Sequence, residues 1–225
     1  MIEIFPVLHY IIFSSLTEFP FRGRGILKKV QDFYFKKAKK EHFAARSVYK
    51  LQEIDRKYRL VKPGMHILDI GCTPGSWSQY LLKKIGGGRV VGVDIREDVR
   101  VSDPRFTFFR ADLMQMDGGF LDEHANAFDL IVSDAAPSTS GNKFIDSQAS
   151  LAMVQSVFRN AETLLKPDGS VVAKIFQGED VHSFVQDLKN RFGKIHLFKP
   201  TSSRKESKEL FIIALRRRDG NDSKH

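Results

Sequence analysis

The stretch H-I-L-D-I-G-C-T-P-G-S-W-S-Q-Y-L-L-K-K-I, residues 66–85, decides the fold. It opens on a short apolar run, His66 to Ile70, and passes through the turn Gly71-Cys72-Thr73-Pro74-Gly75. From Ser76 onward Trp77, Tyr80, Leu81 and Ile85 recur on roughly one helical face. This reads as strand, tight loop, helix. Glycines at both ends of the loop let bare backbone approach a ligand, and the helix N-terminus beyond favours a carboxylate or phosphate. The spacing is G-x-x-x-G, not the G-x-G-x-x-G that binds a pyrophosphate. Asp94 ends the next apolar run, where a nucleotide-binding sheet places the group that holds ribose hydroxyls.

Working outward, strand-like and helix-like segments alternate. Strands are predicted at 89–94, 106–110, 128–133, 170–176, 194–199 and 210–215, and helices at 44–58, 147–165 and 181–191. Lys166-Pro167-Asp168-Gly169 is a turn signal. Strands separated by helices imply an α/β fold, a mostly parallel seven-stranded sheet covered on both faces. The last two strands have no helix between them, so they pair as an antiparallel hairpin at one edge. The expected organisation is an N-terminal extension (1–27), one domain (28–216) and a polar, disordered tail (217–225). The opening, MIEIFPVLHYIIFSSLTEFPF, lacks the length of a membrane span and the charged start of a signal peptide.

At 225 residues, 42% apolar and 28% charged, the chain has the composition of one globular domain. Its formal charge of +9 is more telling, because residues 28–62 hold 12 Lys/Arg against 4 Asp/Glu. That local excess points to a polyanionic partner. Around Phe33, Tyr34 and Phe35 the cations Lys28, Lys29, Lys36, Lys37, Lys39 and Lys40 interleave with rings, which suits RNA; a solvated helix face is the alternative. A second basic cluster comprises Lys199, Arg204, Lys205 and Lys208. One cysteine, Cys72, excludes an internal disulfide and suits a reducing cytoplasm, and no His/Cys/carboxylate cluster has metal-ligand spacing.

In such a sheet ligands sit beyond the carboxyl ends of the strands. The Gly71 to Gly75 loop, Asp94, Asp112 and Asp134 all fall there, although any one aspartate alone reads equally as a cap or turn residue. Lys174 stands inside V-V-A-K-I-F, residues 171–176, and a lysine in an apolar strand is costly unless it is paired or works. A structural Lys–Asp pair is the competing reading. Lys50 lies roughly 75° from the centre of the stripe Val48, Leu51, Ile54 and Tyr58, so it flanks a buried helix face.

Five segments together resemble the RrmJ (FtsJ) family of S-adenosylmethionine-dependent RNA 2'-O-ribose methyltransferases. They are A-A-R-S-V-Y-K-L-Q-E-I (44–54), L-D-I-G-C-T-P-G-S-W-S-Q (68–79), S-D-A-A-P (133–137), V-V-A-K-I-F-Q-G (171–178) and S-K-E-L-F-I-I-A (207–214). The resemblance covers about residues 32–215 and implies a Rossmann-like methyltransferase fold. It maps a Lys-Asp-Lys-Glu tetrad onto Lys50, Asp134, Lys174 and Glu209, and S-adenosylmethionine contacts onto Gly75, Trp77, Asp94, Asp112 and Asp134. For that reaction Lys174 is the expected general base, with Lys50 and Asp134 orienting the hydroxyl and the base and Glu209 in support. Single-domain members act on a uridine of large-subunit ribosomal RNA, whereas relatives modify transfer RNA or messenger RNA caps. A cytoplasmic monomer with no membrane partner is the default. A dinucleotide oxidoreductase would want the missing glycine, and a non-catalytic RNA-binding ribosome assembly factor would not need the tetrad.

Overall fold

Apolar alternation builds one sheet from β1 (His66–Ile70), β2 (Arg89–Asp94), β3 (Phe106–Arg110), β4 (Phe128–Ser133), β5 (Leu165–Phe176), β6 (Phe192–Phe198) and β7 (Glu209–Arg217). The structure, a computed structural model, describes residues 33–116, 118–203 and 206–218. Strands β1 to β5 pair in parallel, and β7 runs antiparallel between β5 and β6, giving the order β3-β2-β1-β4-β5-β7-β6. The expected α/β fold with a terminal antiparallel hairpin is present. Only β6 occupies the edge, however, so Glu209 begins an interior strand. Phe211, Ile212, Ile213 and Ala214 of β7 are all fully buried, which fits a strand paired on both sides.

Helices α1 (Val48–Tyr58) and α2 (Ser76–Ile85) cover one face, and α3 (Gly118–Glu123), α4 (Lys143–Leu164) and α5 (Val181–Leu188) the other. On the first face Leu51, Ile54, Trp77 and Leu81 meet Ile67, Leu130, Val132, Val172 and Phe211. On the second, Val154, Phe158 and Phe184 meet Leu68, Ile131, Val171 and Ala173. Each fully buried aliphatic side chain contributes about 1.5–3 kcal/mol. The period of two has a consequence for chemistry. Asp134 shares parity with Val132, Lys174 with Val172 and Glu209 with Phe211, so all three point to the face under α1.

Several boundaries differ from expectation for local reasons. Helix α1 starts at Val48 instead of 44, because the Ala44 N–H donates to Gln79 Oε1 (2.9 Å) and Ser47 Oγ bonds Ser76 Oγ (3.0 Å), tying residues 44–47 to α2. Helix α4 starts early, at Lys143, because Asn142 Oδ1 accepts the N–H groups of Phe144 (3.0 Å) and Ile145 (3.3 Å). The turn at 166–169 lies within β5: its pairing with β4 jumps from Phe128↔Leu165 to Leu130↔Ser170, so these four residues loop out. Strand β7 takes in Arg217, the first residue of the expected tail, whose guanidinium donates to Glu162 O and Asn126 Oδ1. The expected extension (1–27), Lys28, Lys29, Arg204, Lys205 and residues 219–225 lie outside the described residues.

Candidate active site

At the carboxyl ends of β4 and β5 the chain brings four charged side chains into one line. Lys174 Nζ is 3.0 Å from Asp134 Oδ1 and also donates to the Asp134 carbonyl. Lys50 Nζ stands 3.7 Å from the same carboxylate oxygen and 2.9 Å from Glu209 Oε2. The order Lys174, Asp134, Lys50, Glu209 alternates in sign, so each charge has an opposite neighbour in a site where an isolated one would be costly. The Lys174 side chain is only 7% exposed. Lys50 reaches in from α1 over the Phe211 ring (5.8 Å), and the Trp77 ring also packs on Phe211 (5.9 Å). Burial pushes the Glu209 carboxyl up, but the charge and hydrogen bond of Lys50, then the charge of Lys174 and the Ser207 hydroxyl, hold it below its usual value.

Asp134, Lys174 and Trp77 also wall a cleft of about 470 Å³ that runs across β4, β1 and β2 to Asp94 and Asp112. Gly71 lines it with φ +73°, and a Cβ there would come within 2.8 Å of Ala135, so the loop and the exit of β4 touch through bare backbone. Gly75 is absent from the lining. It precedes α2 with φ +110° and faces Val101, where a Cβ would come within 2.6 Å, so it acts through the shape of the loop. Trp77 is buried, its indole N–H donating to Ser47 O (2.9 Å). Asp112 Oδ1 accepts the Met114 N–H (2.9 Å), capping a short 3-10 turn.

Sequence reasoning missed two residues here. Asp94 accepts the N–H groups of Thr73 and Arg96 (both 2.9 Å), and the Arg96 guanidinium lies over it at 3.4 Å. Burial works to raise the Asp94 carboxyl, yet those backbone bonds and the guanidinium keep it below its usual value. The Arg96 side chain is 64% exposed and also donates to Thr73 O (3.1 Å), so it covers the carboxylate from the solvent side. Nothing but the i+2 spacing from Asp94 marked Arg96. The second is Asp69 in β1, buried on the α2 side, whose Oδ2 accepts from Ser78 Oγ (2.6 Å) while Oδ1 has no partner among the described residues. Burial, with nearby Asp134, pushes it up to about 7 despite Ser78.

The surroundings hold this geometry. Glu53, one turn beyond Lys50, accepts Thr201 N–H (2.6 Å), Thr201 Oγ1 (2.9 Å) and Ser202 N–H (2.8 Å), which clamps the connection between β6 and β7 to α1. The helical residues 33–40 dock through Ala38 and Tyr34 on Tyr49, leaving Phe33, Phe35, Lys36, Lys39 and Lys40 exposed. Among the described residues no group of three His, Cys, Asp or Glu could hold a metal ion, and no helix is long and apolar enough to cross a membrane.

Comparisons with known proteins bear on this arrangement. The profile of FtsJ-like methyltransferases matches residues 43–217. A protein of Desulfatibacillum aliphaticivorans named ribosomal RNA large subunit methyltransferase E is 41% identical over 191 residues, covering 84% of this chain and 92% of its own. The protein of the same name from Brachyspira hyodysenteriae is 43% identical over 188 residues, 83% of this chain and 96% of its own. A crystal structure from Plasmodium falciparum, assigned as a ribosomal RNA methyltransferase, superposes with a TM-score of 0.68 at 28% identity, covering 78% of this chain and 98% of that one. A profile that spans the sheet from the start of α1 to the end of β7, and relatives matched over nearly their whole length, agree with the fold: this chain belongs to the FtsJ-like methyltransferase family.

Proposed function

We propose that the chain transfers a methyl group from S-adenosylmethionine to the 2'-OH of a ribose in RNA, and that the ribose belongs to a uridine of large-subunit ribosomal RNA. The observation that carries this reading is the line of buried Lys174 with half-buried Asp134, Lys50 and Glu209, opening onto the glycine-loop cleft. The relatives' names support ribosomal RNA of the large subunit as the acceptor, and the uridine rests on the sequence resemblance. A non-catalytic assembly factor would have no need to hold two cations and two acids in mutual contact around a buried lysine.

The cleft fits such a donor. Its carboxylates Asp94, Asp112 and Asp134 face a ligand that carries sulfonium and ammonium cations, and Gly71 leaves its backbone bare. Asp94 would hold the ribose hydroxyls, while Asp112, Asp134, Trp77 and the loop through Gly75 would complete the binding site. When bound, S-adenosylmethionine supplies a methyl on a good leaving group, so the S–CH₃ bond breaks as the O–CH₃ bond forms and a neutral thioether is released. The protein's task is then alignment and removal of one proton. Lys174, once it has given its own proton to solvent, takes the hydroxyl proton on Nζ. Asp134 orients that amine through its carboxylate and carbonyl, and Lys50 and Glu209 fix Asp134 and the incoming hydroxyl.

The 2'-OH exists only in RNA, and the exposed cations and rings of residues 33–40 suit its phosphates and bases. On this reading residues 28–216 are the methyltransferase domain of a cytoplasmic monomer. Mapping ribose methylation in total RNA from cells with and without the gene tests it. One large-subunit position should lose its methyl group in the deletion; an unchanged map contradicts the proposal.

A further inference from the structure

A second depression, of about 200 Å³, lies past the tetrad along the sheet, over β5, β7 and the first turn of α4. Lys143, Asp146, Phe176, Gln177, Lys208 and Glu209 are among the residues that line it, and it shares none of its lining with the larger cleft. The tetrad is the partition: Lys50 pairs with Asp134 on the cleft side and with Glu209 on the groove side. A donor in the cleft leaves this groove as the approach for an acceptor that must reach Lys174 and Glu209 together.

The chemistry of the groove suits one kind of acceptor. Among the described residues neither Lys143 nor Lys208 has an ion pair, so two cations await an anion. Of the two acids in the lining, Glu209 is engaged by Lys50, and Asp146 Oδ1 accepts both the N–H (2.7 Å) and the Oγ–H (2.8 Å) of Ser140. Gln177 offers a donor and an acceptor to a base edge, and Ser147 Oγ, which donates to Phe144 O (2.8 Å), offers an acceptor. Phe176 is half-buried in the wall, and the neighbouring turn carries Phe144, 67% exposed, beside Ile145. Unmatched cations beside rings are what a single-stranded nucleotide needs, and a duplex could not enter so small a groove.

We propose that this groove holds the nucleotide being methylated, its base against Phe176 and Phe144, its phosphates at Lys143 and Lys208, and its ribose at Glu209 and Lys50. The inference rests on the methyl-transfer reading above. The test is steady-state methylation of ribosomal large subunits from cells lacking this protein, by wild type, Phe144→Ala and the double variant Lys143→Ala/Lys208→Ala, with S-adenosylmethionine affinity measured by calorimetry. All three residues are on the surface, so folding is preserved. Each variant should raise KM for the particles about tenfold while donor affinity stays within about twofold. Wild-type KM in both variants, with normal wild-type turnover, overturns the groove alone. No ribose methylation by the wild-type enzyme overturns the reaction and the groove together.

Discussion

Lys50 Nζ lies 2.9 Å from Glu209 Oε2, joining the first helix beneath the sheet to the start of its last strand. The contact completes the alternation of charge that lets Lys174 be buried. Because Glu209 is held below its usual value near 4.5, it stabilises the fold above that pH, and this contribution is lost as pH falls through its folded value.

Glu209→Gln should therefore cost about 1 kcal/mol at pH 7. The deficit should shrink as pH falls through the folded-state value of Glu209, which lies below 4.5, because the wild-type carboxyl then takes up its own proton. Urea denaturation of both proteins at about pH 7 and at a series of pH values descending from 4.5 measures it, and a difference that stays constant throughout would show that the Lys50 charge does not act on Glu209.

Asp69 should behave in the opposite sense. Burial raises its carboxyl from 3.8 to about 7, so the folded chain holds a proton that the unfolded chain releases, and stability falls as pH rises between those values. Asp69→Asn removes the dependence. Relative to wild type, the variant should gain roughly 2–3 kcal/mol between pH 5 and pH 8. Parallel stability curves over that range would contradict the buried, half-partnered carboxyl.

The proposed roles of Asp94 and Arg96 are those of a binding group and its cover. Asp94→Ala should weaken S-adenosylmethionine binding by about tenfold or more, since it removes the carboxylate and frees the Thr73 and Arg96 N–H groups it holds. Arg96→Ala should change it by less than about threefold, because the exposed guanidinium is replaceable. Calorimetric titration of both variants decides, and equal losses would assign Arg96 a direct contact.

Much of this was legible in the sequence because strand periodicity is strict. The turn at Gly71 announced the first strand and helix, and the parity of Asp134, Lys174 and Glu209 with their apolar neighbours sends all three to one face. Lys50 was harder: its angle from the apolar stripe placed it beside the buried face, and only the pairing with Asp134 and Glu209 shows how deeply it reaches. The lateral position of β7 was not legible, since hydrophobic runs report burial and not neighbours. Arg96, Ser78 and Glu53 escaped notice because each acts through hydrogen bonds to residues that the fold, not local pattern, brings near.

The most direct measurement concerns Lys174, the amine on which the proposed chemistry turns. Lys174→Ala and wild type are compared for methyl transfer to ribosomal large subunits from cells lacking the protein, with S-adenosylmethionine binding measured by calorimetry on the same preparations. The expected result is a loss of at least about 10³-fold in turnover with donor affinity unchanged within about threefold. Turnover equal to wild type in Lys174→Ala would contradict the account.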